Sequence, residues 1–329
     1  MKSFVLKKYH LIVILIGWCL FFICCSPEQG HLPKEIITVK PNSWRSATIF
    51  THVIWKDLLF YGAGSGSGGG DPRHEMEIGI FHLIKPDSGY HDKRNPVITR
   101  SRFGLDQPGK GITPLAIYDR GDSIFMYCTS RPDDDLNPHI VQISASVKDP
   151  YSWGNYRTIV DHTFSGQQNN HGASVLIDPY HPENLLLYFA ALTSPNEYRI
   201  LLAEVAIKDV SKPEAYILVK DYENAVLGRD GGKTNYPYVR YDRPNKTYEL
   251  WYSGHTIENT NTRSCYLTKS LTKDRFKPAT QIFLQASEIA TRNDNAYATG
   301  PKVYGNHFYY SGRNQAKGNY LSIFYLELK

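Results

Sequence analysis

Four short polar clusters in this 329-residue chain bring together side chains that could do chemistry. "GLDQPGKG" carries Asp106 and Gln107, and "SGQQNNHGA" carries Asn169, Asn170 and His171. "GRDGGKTNYP" carries Asp230, Asn235 and Tyr236, and "TRNDNAYA" carries Asn293, Asp294, Asn295 and Tyr297. Amides and carboxylates supply paired donors and acceptors, and phenol rings supply flat apolar platforms. That combination suits a hydroxyl-rich ligand. His171 adds a group that titrates near neutrality. A fifth cluster, Asp71, Arg73, His74 and Glu75, follows the glycine run "GAGSGSGGG". The run is not a phosphate cradle: no GK[ST] follows it, and "MEIGIFHLI" reads as a strand rather than a helix start.

These clusters must be positioned by something, and the chain repeats. A hydrophobic run ends in a tyrosine and a small polar turn five times: "DLLFYGAG" at Tyr61, "DSIFMYCTS" at Tyr127, "NLLLYFAALT" at Tyr188, "YELWYSGH" at Tyr252 and "HFYYSGR" at Tyr310. A strand-like run precedes each, such as "SATIFTHVIW" and "YPYVRYD", and a third follows, such as "HIVQISASV" and "SCYLTKSL". Fourth runs are "PVITR", "YRTIVD", "AYILV" and "TQIFL". The tyrosines recur about every 60 residues, a period that signals a propeller or solenoid. Aromatic and β-branched residues dominate, as strands prefer. The expected fold is all-β: a five-bladed β-propeller of four antiparallel strands per blade. A β-sandwich accommodates five in-phase copies poorly.

The fifth unit has no fourth strand before Lys329, while "KEIITVK" at Lys34–Lys40 stands alone ahead of the first unit. Pairing it as the outer strand of the last blade would close the ring and remove an exposed edge. In such blades the loop between strands two and three shares a face with the crossover to the next blade. One face therefore gathers Gly62–Glu75, "TSRPDDDLNPH", Leu192–Tyr198, the Gly254–Arg263 loop with His255, Gly312–Asn319 and the crossovers that hold the polar clusters. The opposite face has only short turns such as "WKD" and "YGN". A scaffold with long polar loops at one end presents its site there. The glycine run becomes a rim segment. Some of the 24 tyrosines are expected at the mouth.

The N-terminus reads as a secretory signal. Lys2, Lys7 and Lys8 precede an apolar run from Leu11 to Cys24, too short to span a membrane, and then Ser26-Pro27-Glu28. The run ends in a cysteine pair that resembles a bacterial lipoprotein signal, with Cys25 as the lipidated residue. Residues 1–24 are then a signal peptide, 25–33 a tether and 34–329 one propeller domain, held at the cell envelope by a lipid anchor. Removing the signal takes three lysines and no acid with it. The weakly basic remainder argues against a nucleic-acid partner. Cys128 and Cys265 form no disulfide framework or metal-site spacing and read as buried thiols. No cofactor is implied; the acidic turn Pro132–Leu136 is the stretch suited to a structural divalent cation such as Ca. The chain is expected to act as a monomer.

The whole propeller region resembles the five-bladed glycosidases of glycoside hydrolase families 43, 32 and 117. "SASVKDPYSWGNYRTIV" resembles their third-to-fourth strand passage with its "DP…W" turn. "ASVLIDP…NLLLYFAAL" and "YPYVRYD…YELWYSG" resemble their first-to-second strand hairpins. The resemblance implies hydrolysis of a poly- or oligosaccharide by two opposed carboxylates. Family 43 places its base aspartate at the start of the first inner strand, where "NSWRSATIF" has no acid. By position, Asp230, Asp106 and Asp294 are the candidate acids, with His171 beside them. Asp71, Arg73, His74, Glu75, Gln107, Asn170, Asn235, Tyr236, His255, Asn295 and Tyr297 are the candidate substrate contacts. Two alternatives stand: a glycan-binding lipoprotein without turnover, and a lyase using His and Tyr on an acidic sugar. Arg45, Arg73, Arg131, Arg229, Lys233 and Arg292 near the long-loop face would suit the latter.

Overall fold

Apolar runs broken by tight polar turns become antiparallel hairpins throughout. The computed structural model describes residues 33–64, 75–131, 137–194, 197–227, 234–256, 259–279, 282–284, 298–314 and 320–328. The first blade holds β2 (Thr48–Trp55), β3 (Leu58–Gly64), β4 (Glu77–Lys85) and β5 (Ser88–His91). The second holds β6 (Ile112–Asp119), β7 (Ser123–Ser130), β8 (His139–Ser146) and β9 (Asp149–Val160). The third holds β10 (Asn169–Ile177), β11 (Asn184–Ser194), β12 (Glu197–Ala206) and β13 (Ile217–Lys220). The fourth holds β14 (Asn235–Asp242), β15 (Thr247–Thr256), β16 (Asn259–Ser270) and β17 (Ile282–Leu284). The fifth holds β18 (Ala298–Tyr304), β19 (His307–Asn314) and β20 (Tyr320–Glu327).

The fifth blade takes its outer strand from the other end of the sequence. β1 (Lys34–Ile37) pairs antiparallel with β20, Lys34 opposite Tyr325 and Ile37 opposite Ile323. The inner strands contact in sequence, β2 to β6, β6 to β10, β10 to β14 and β14 to β18, and β18 returns to β2. The ring is therefore a five-bladed β-propeller closed by its first strand.

The core is divided into five apolar seams, one between each pair of neighbouring blades. Trp153 shows why the "DP…W" turn matters. Its indole N–H donates to the Pro150 carbonyl at 2.7 Å, and its ring meets Phe60 of the first blade edge-on at 5.5 Å. The repeating tyrosines are structural: Tyr61, Tyr127, Tyr188, Tyr252 and Tyr310 are all buried. Four of their hydroxyls are hydrogen-bonded, those of Tyr127 and Tyr188 to the next blade and those of Tyr61 and Tyr252 within their own. Tyr61 lies 3.0 Å from His91 Nδ1, Tyr127 lies 2.7 Å from the Tyr216 hydroxyl, Tyr188 donates to the Lys273 carbonyl, and Tyr252 accepts from the Ala279 N–H.

One sequence expectation is corrected. The fourth strand of the first blade is Ser88–His91, not "PVITR", which crosses to the next blade with a single bridge from Ile98 to Ile78. Pro96 lacks the N–H a strand ladder needs. Among the described residues one short α-helix also occurs, α1 (His162–Ser165), capped by the Asp161 carboxylate on the Phe164 N–H.

Ile37 is 1 % exposed in the seam with Ile49, Leu59, Tyr309 and Ile323. Ile37→Ala should lower stability by about 2–5 kcal/mol, as large-to-small core changes do. Deleting residues 26–41 should lower the melting temperature further. A deletion variant that melts with the parent chain would show that β1 closes nothing.

Candidate functional site

Each inner strand slips register against its neighbour at the same height. The shifts fall between Phe50 and His52, Pro114 and Ala116, His171 and Ala173, Asn235 and Tyr238, and Thr299 and Lys302. These are β-bulges, which re-aim side chains and interrupt the ladder. Thr51, Gly172, Tyr236 and Gly300 take positive φ there, and Pro114, Pro237 and Pro301 sit where a ladder N–H is dispensable. Gly172 is required twice over: its φ is +60°, and a Cβ would lie 2.8 Å from Tyr236 Cα.

The bulges build an aromatic cluster at the head of the axis. The Tyr236 ring meets Phe50 edge-on at 5.2 Å and His171 at 5.5 Å. His171 also stands edge-on to Tyr198 at 4.8 Å. His171 and Tyr236, both candidates by sequence, are thus brought together, with Phe50 and Tyr198 as partners that the sequence did not single out. Asn235, 2 % exposed, turns its Oδ1 to the Tyr236 N–H at 2.7 Å and so fixes the bulge. Asn170 is fully buried and donates to the Gln167 carbonyl, holding the preceding turn.

A second feature lies over the first blade. A cavity of about 830 Å³ is lined by Asn42, Trp44, Ser46, Glu75, Glu77 and Arg100, among others. These residues come from the approach to β2, the entry of β4 and the crossover to β6, so the cavity opens at the long-loop face. Trp44 lies on Tyr61 with ring centroids 5.7 Å apart. Gly79 makes room for it, since a Cβ there would lie 2.7 Å from the indole. Glu75 is 3 % exposed; its Oε1 accepts from the Gly109 N–H at 3.1 Å, and its Oε2 lies 4.0 Å from Arg100. Glu77 accepts from the Arg100 N–H at 3.1 Å. Two residues apart along one extended segment, both carboxylates face the same side. Trp44, Glu77 and Arg100 were missed in the sequence; the readable signal was a lone tryptophan in the polar stretch "NSWRS".

The other candidates disperse. Asp106 and Gln107 are exposed on the crossover to β6. Arg45 is half-buried and donates to the Thr38 carbonyl; burial lowers its pKa. His255 belongs to β15 by its backbone. Asp71, Arg73, His74, Asp230, Asp294, Asn295, Tyr297, Arg229, Lys233, Arg292, Cys25 and the acidic turn Pro132–Leu136 lie outside the described residues. Among the described residues no three His, Cys, Asp or Glu side chains assemble as a metal site, and no helix is long and apolar enough to cross a membrane. Cys128 and Cys265 are buried free thiols, their pKa raised by burial.

No family sequence profile matches the chain, and no curated protein matches it in sequence. Solved structures do match. A glycosyl hydrolase from Bacteroides ovatus superposes with a TM-score of 0.59 at 12% identity, over 91% of this chain and 94% of that one. A thermostable family-43 glycoside hydrolase gives 0.56 at 12% identity, over 88% and 92%. Native Bacillus subtilis arabinanase Arb43A gives 0.57 at 12% identity, over 90% and 96%. The fold is that of the family 43 glycoside hydrolases. A glycosidase propeller offers its long-loop face, but its chemistry belongs to the side chains grafted there. In this propeller the described features at that face are the Trp44–Glu75–Glu77 cavity and the His171–Tyr236 cluster.

Proposed function

We propose that the chain is a lipid-anchored glycoside hydrolase that works on a poly- or oligosaccharide at the long-loop face. The observation that carries this is the cavity over the first blade, where an aromatic platform and two carboxylates line one wall. A tryptophan face suits the apolar face of a pyranose or furanose ring, and carboxylates accept from its hydroxyls. The fold shared with family 43 enzymes supports the class of reaction. Cleavage needs one acid to protonate the leaving oxygen and a carboxylate on the opposite side of the sugar. Asp230 is the first choice, because the glycines after it let the chain bring the carboxylate toward the axis. Asp106 and Asp294 are the candidate partners, and His171 is placed to assist.

A second reading is favoured by the His171–Tyr198–Tyr236 cluster. An imidazole beside phenols can take and return a proton, as elimination from an acidic sugar demands. A third, glycan binding without turnover, requires only the platform.

One experiment separates them. The full chain is incubated with a panel of neutral and acidic glycans, and products are assayed for new reducing ends and for the ultraviolet-absorbing unsaturated sugar that elimination leaves. Hydrolysis gives reducing ends without the chromophore. Folded Asp230→Asn should then lose about 100- to 10,000-fold in rate. Trp44→Ala should weaken glycan binding about tenfold while leaving the fold intact. Chromophore formation, or binding with no product, replaces the hydrolase reading with the second or third. Full activity in Asp230→Asn removes that residue from the mechanism.

The anchor has its own test. Cys25→Ala should move the protein from the membrane fraction to the soluble one. Wild-type protein that incorporates no labelled fatty acid would exclude the lipid.

A further inference from the structure

Below the aromatic cluster the five inner strands enclose a small cavity of about 10 Å³, room for one water-sized occupant. Thr51 and His52 line it from β2, Leu115 from β6, Ala173 from β10, Tyr236 from β14 and Lys302 from β18. All the polar side chains among these are hydrogen-bond donors or neutral. His52 is fully buried, and among the described residues neither of its ring nitrogens has a hydrogen-bond partner. Thr51 Oγ1 is likewise buried and unpartnered among the described residues, on a residue held at φ +53°. Lys302 is 6 % exposed; among the described residues its Nζ reaches only the Ala173 carbonyl, at a long 3.5 Å, and it stands 5.3 Å from the centroid of the Tyr238 ring.

A buried ammonium must be neutralised by a counter-charge or by losing its proton. Among the described residues no carboxylate lines this cavity. The titratable groups around Lys302 and His52 are Tyr236 and Tyr238 on β14 and Tyr309 on β19, which is paired with Lys302 and stands 6.2 Å from the His52 ring; β6 and β10 present Pro114, Leu115 and Ala173. On β15, Glu249 is paired with Arg240 and Lys269. The ligand these donors would recognise is a pure acceptor, negatively charged, spherical and no larger than a few atoms. Phosphate, sulfate and carboxylates exceed the space, and a metal cation would be repelled by Lys302.

We propose that the axial cavity between Lys302, His52 and Thr51 is a halide site that takes chloride as the counter-ion of Lys302.

The pH behaviour follows from burial. Without an anion, burial lowers the Lys302 pKa to about 7 and that of His52 to about 3, Lys302 adding repulsion to His52. Unfolded lysine holds its proton to about 10.4, so from pH 7 to 10 the unfolded chain binds more protons. In halide-free buffer stability therefore rises with pH across that window, and it falls again below about 6.5 through His52. Chloride favours protonated Lys302, so its benefit is greatest on the acid side of neutrality.

The full chain is melted in sodium chloride and in sodium gluconate at equal ionic strength, at pH 6 and pH 9. Chloride should raise the melting temperature at pH 6 by at least about 2 °C, saturably, and change it little at pH 9. Lys302→Met, which keeps much of the volume, should melt alike in both salts. Should that variant fail to fold, wild-type crystals soaked in bromide decide the matter by anomalous diffraction. A bromide peak on the axis within reach of Lys302 Nζ supports the site. Equal melting of the wild type in both salts at pH 6, or an axis without bromide, overturns it.

Discussion

In every blade the inner strand gives up one rung of its ladder to the second strand, at a common distance from the long-loop end. Strand side chains alternate faces, so a single extra residue moves those beyond it to the other side. The five slips together decide what meets on the axis. They put Phe50, His171 and Tyr236 at its head and His52, Ala173 and Lys302 below them. They also account for prolines and positive-φ residues inside strands that would otherwise exclude them. Gly172 and Tyr236 depend on each other: one has no Cβ because the other's backbone occupies its place.

Charge is distributed in keeping with that geometry. Most buried carboxylates are matched away from the axis. Asp178 and Glu204 share Lys273 and so join the third blade to the fourth. Asp92 is held below the usual carboxylate range by Arg94 and His82 at the outer edge of the first blade. Glu249 bridges Arg240 and Lys269. These pairings hold the blades, and among the described residues the axial cavity is lined by neutral groups and Lys302. The carboxylates on the long-loop face, Glu75 and Glu77, are engaged by backbone and by Arg100, which places them firmly beside the Trp44 platform.

Blade number, closure by a strand in the Lys34–Lys40 stretch and the division into a long-loop and a short-turn face were legible, because each follows from a local pattern: alternation, turn residues and a repeating tyrosine. The repeating tyrosines stay buried because a phenol can satisfy a buried position by a bond to a neighbouring backbone, as Tyr188 does with Lys273. "PVITR" reads as a strand by composition, yet the pairing falls to Ser88–His91, where the hairpin turn sets the register. The site was harder to read. His171 and Tyr236 were singled out because their clusters flank inner strands; their contact depends on a bulge that no spacing rule announces. Lys302, in "TGPKVYG", occupies an ordinary strand position, and its burial on the axis arises only when five blades meet.

β1 is the first strand made and the last one used. Its partner β20 lies at the far end of the described chain, with every other strand between them. During synthesis Ile37 has no strand partner until Ile323 emerges, so the ring cannot close blade by blade from the N-terminus. Joining so distant a pair carries a large loop-closure entropy, and folds dominated by such contacts form slowly. Until then both the flank of β2 and the edge of β1 expose apolar surface of the kind that recruits chaperones or passing strands. The contact that completes the last blade is therefore also the one that leaves the growing chain sticky for longest.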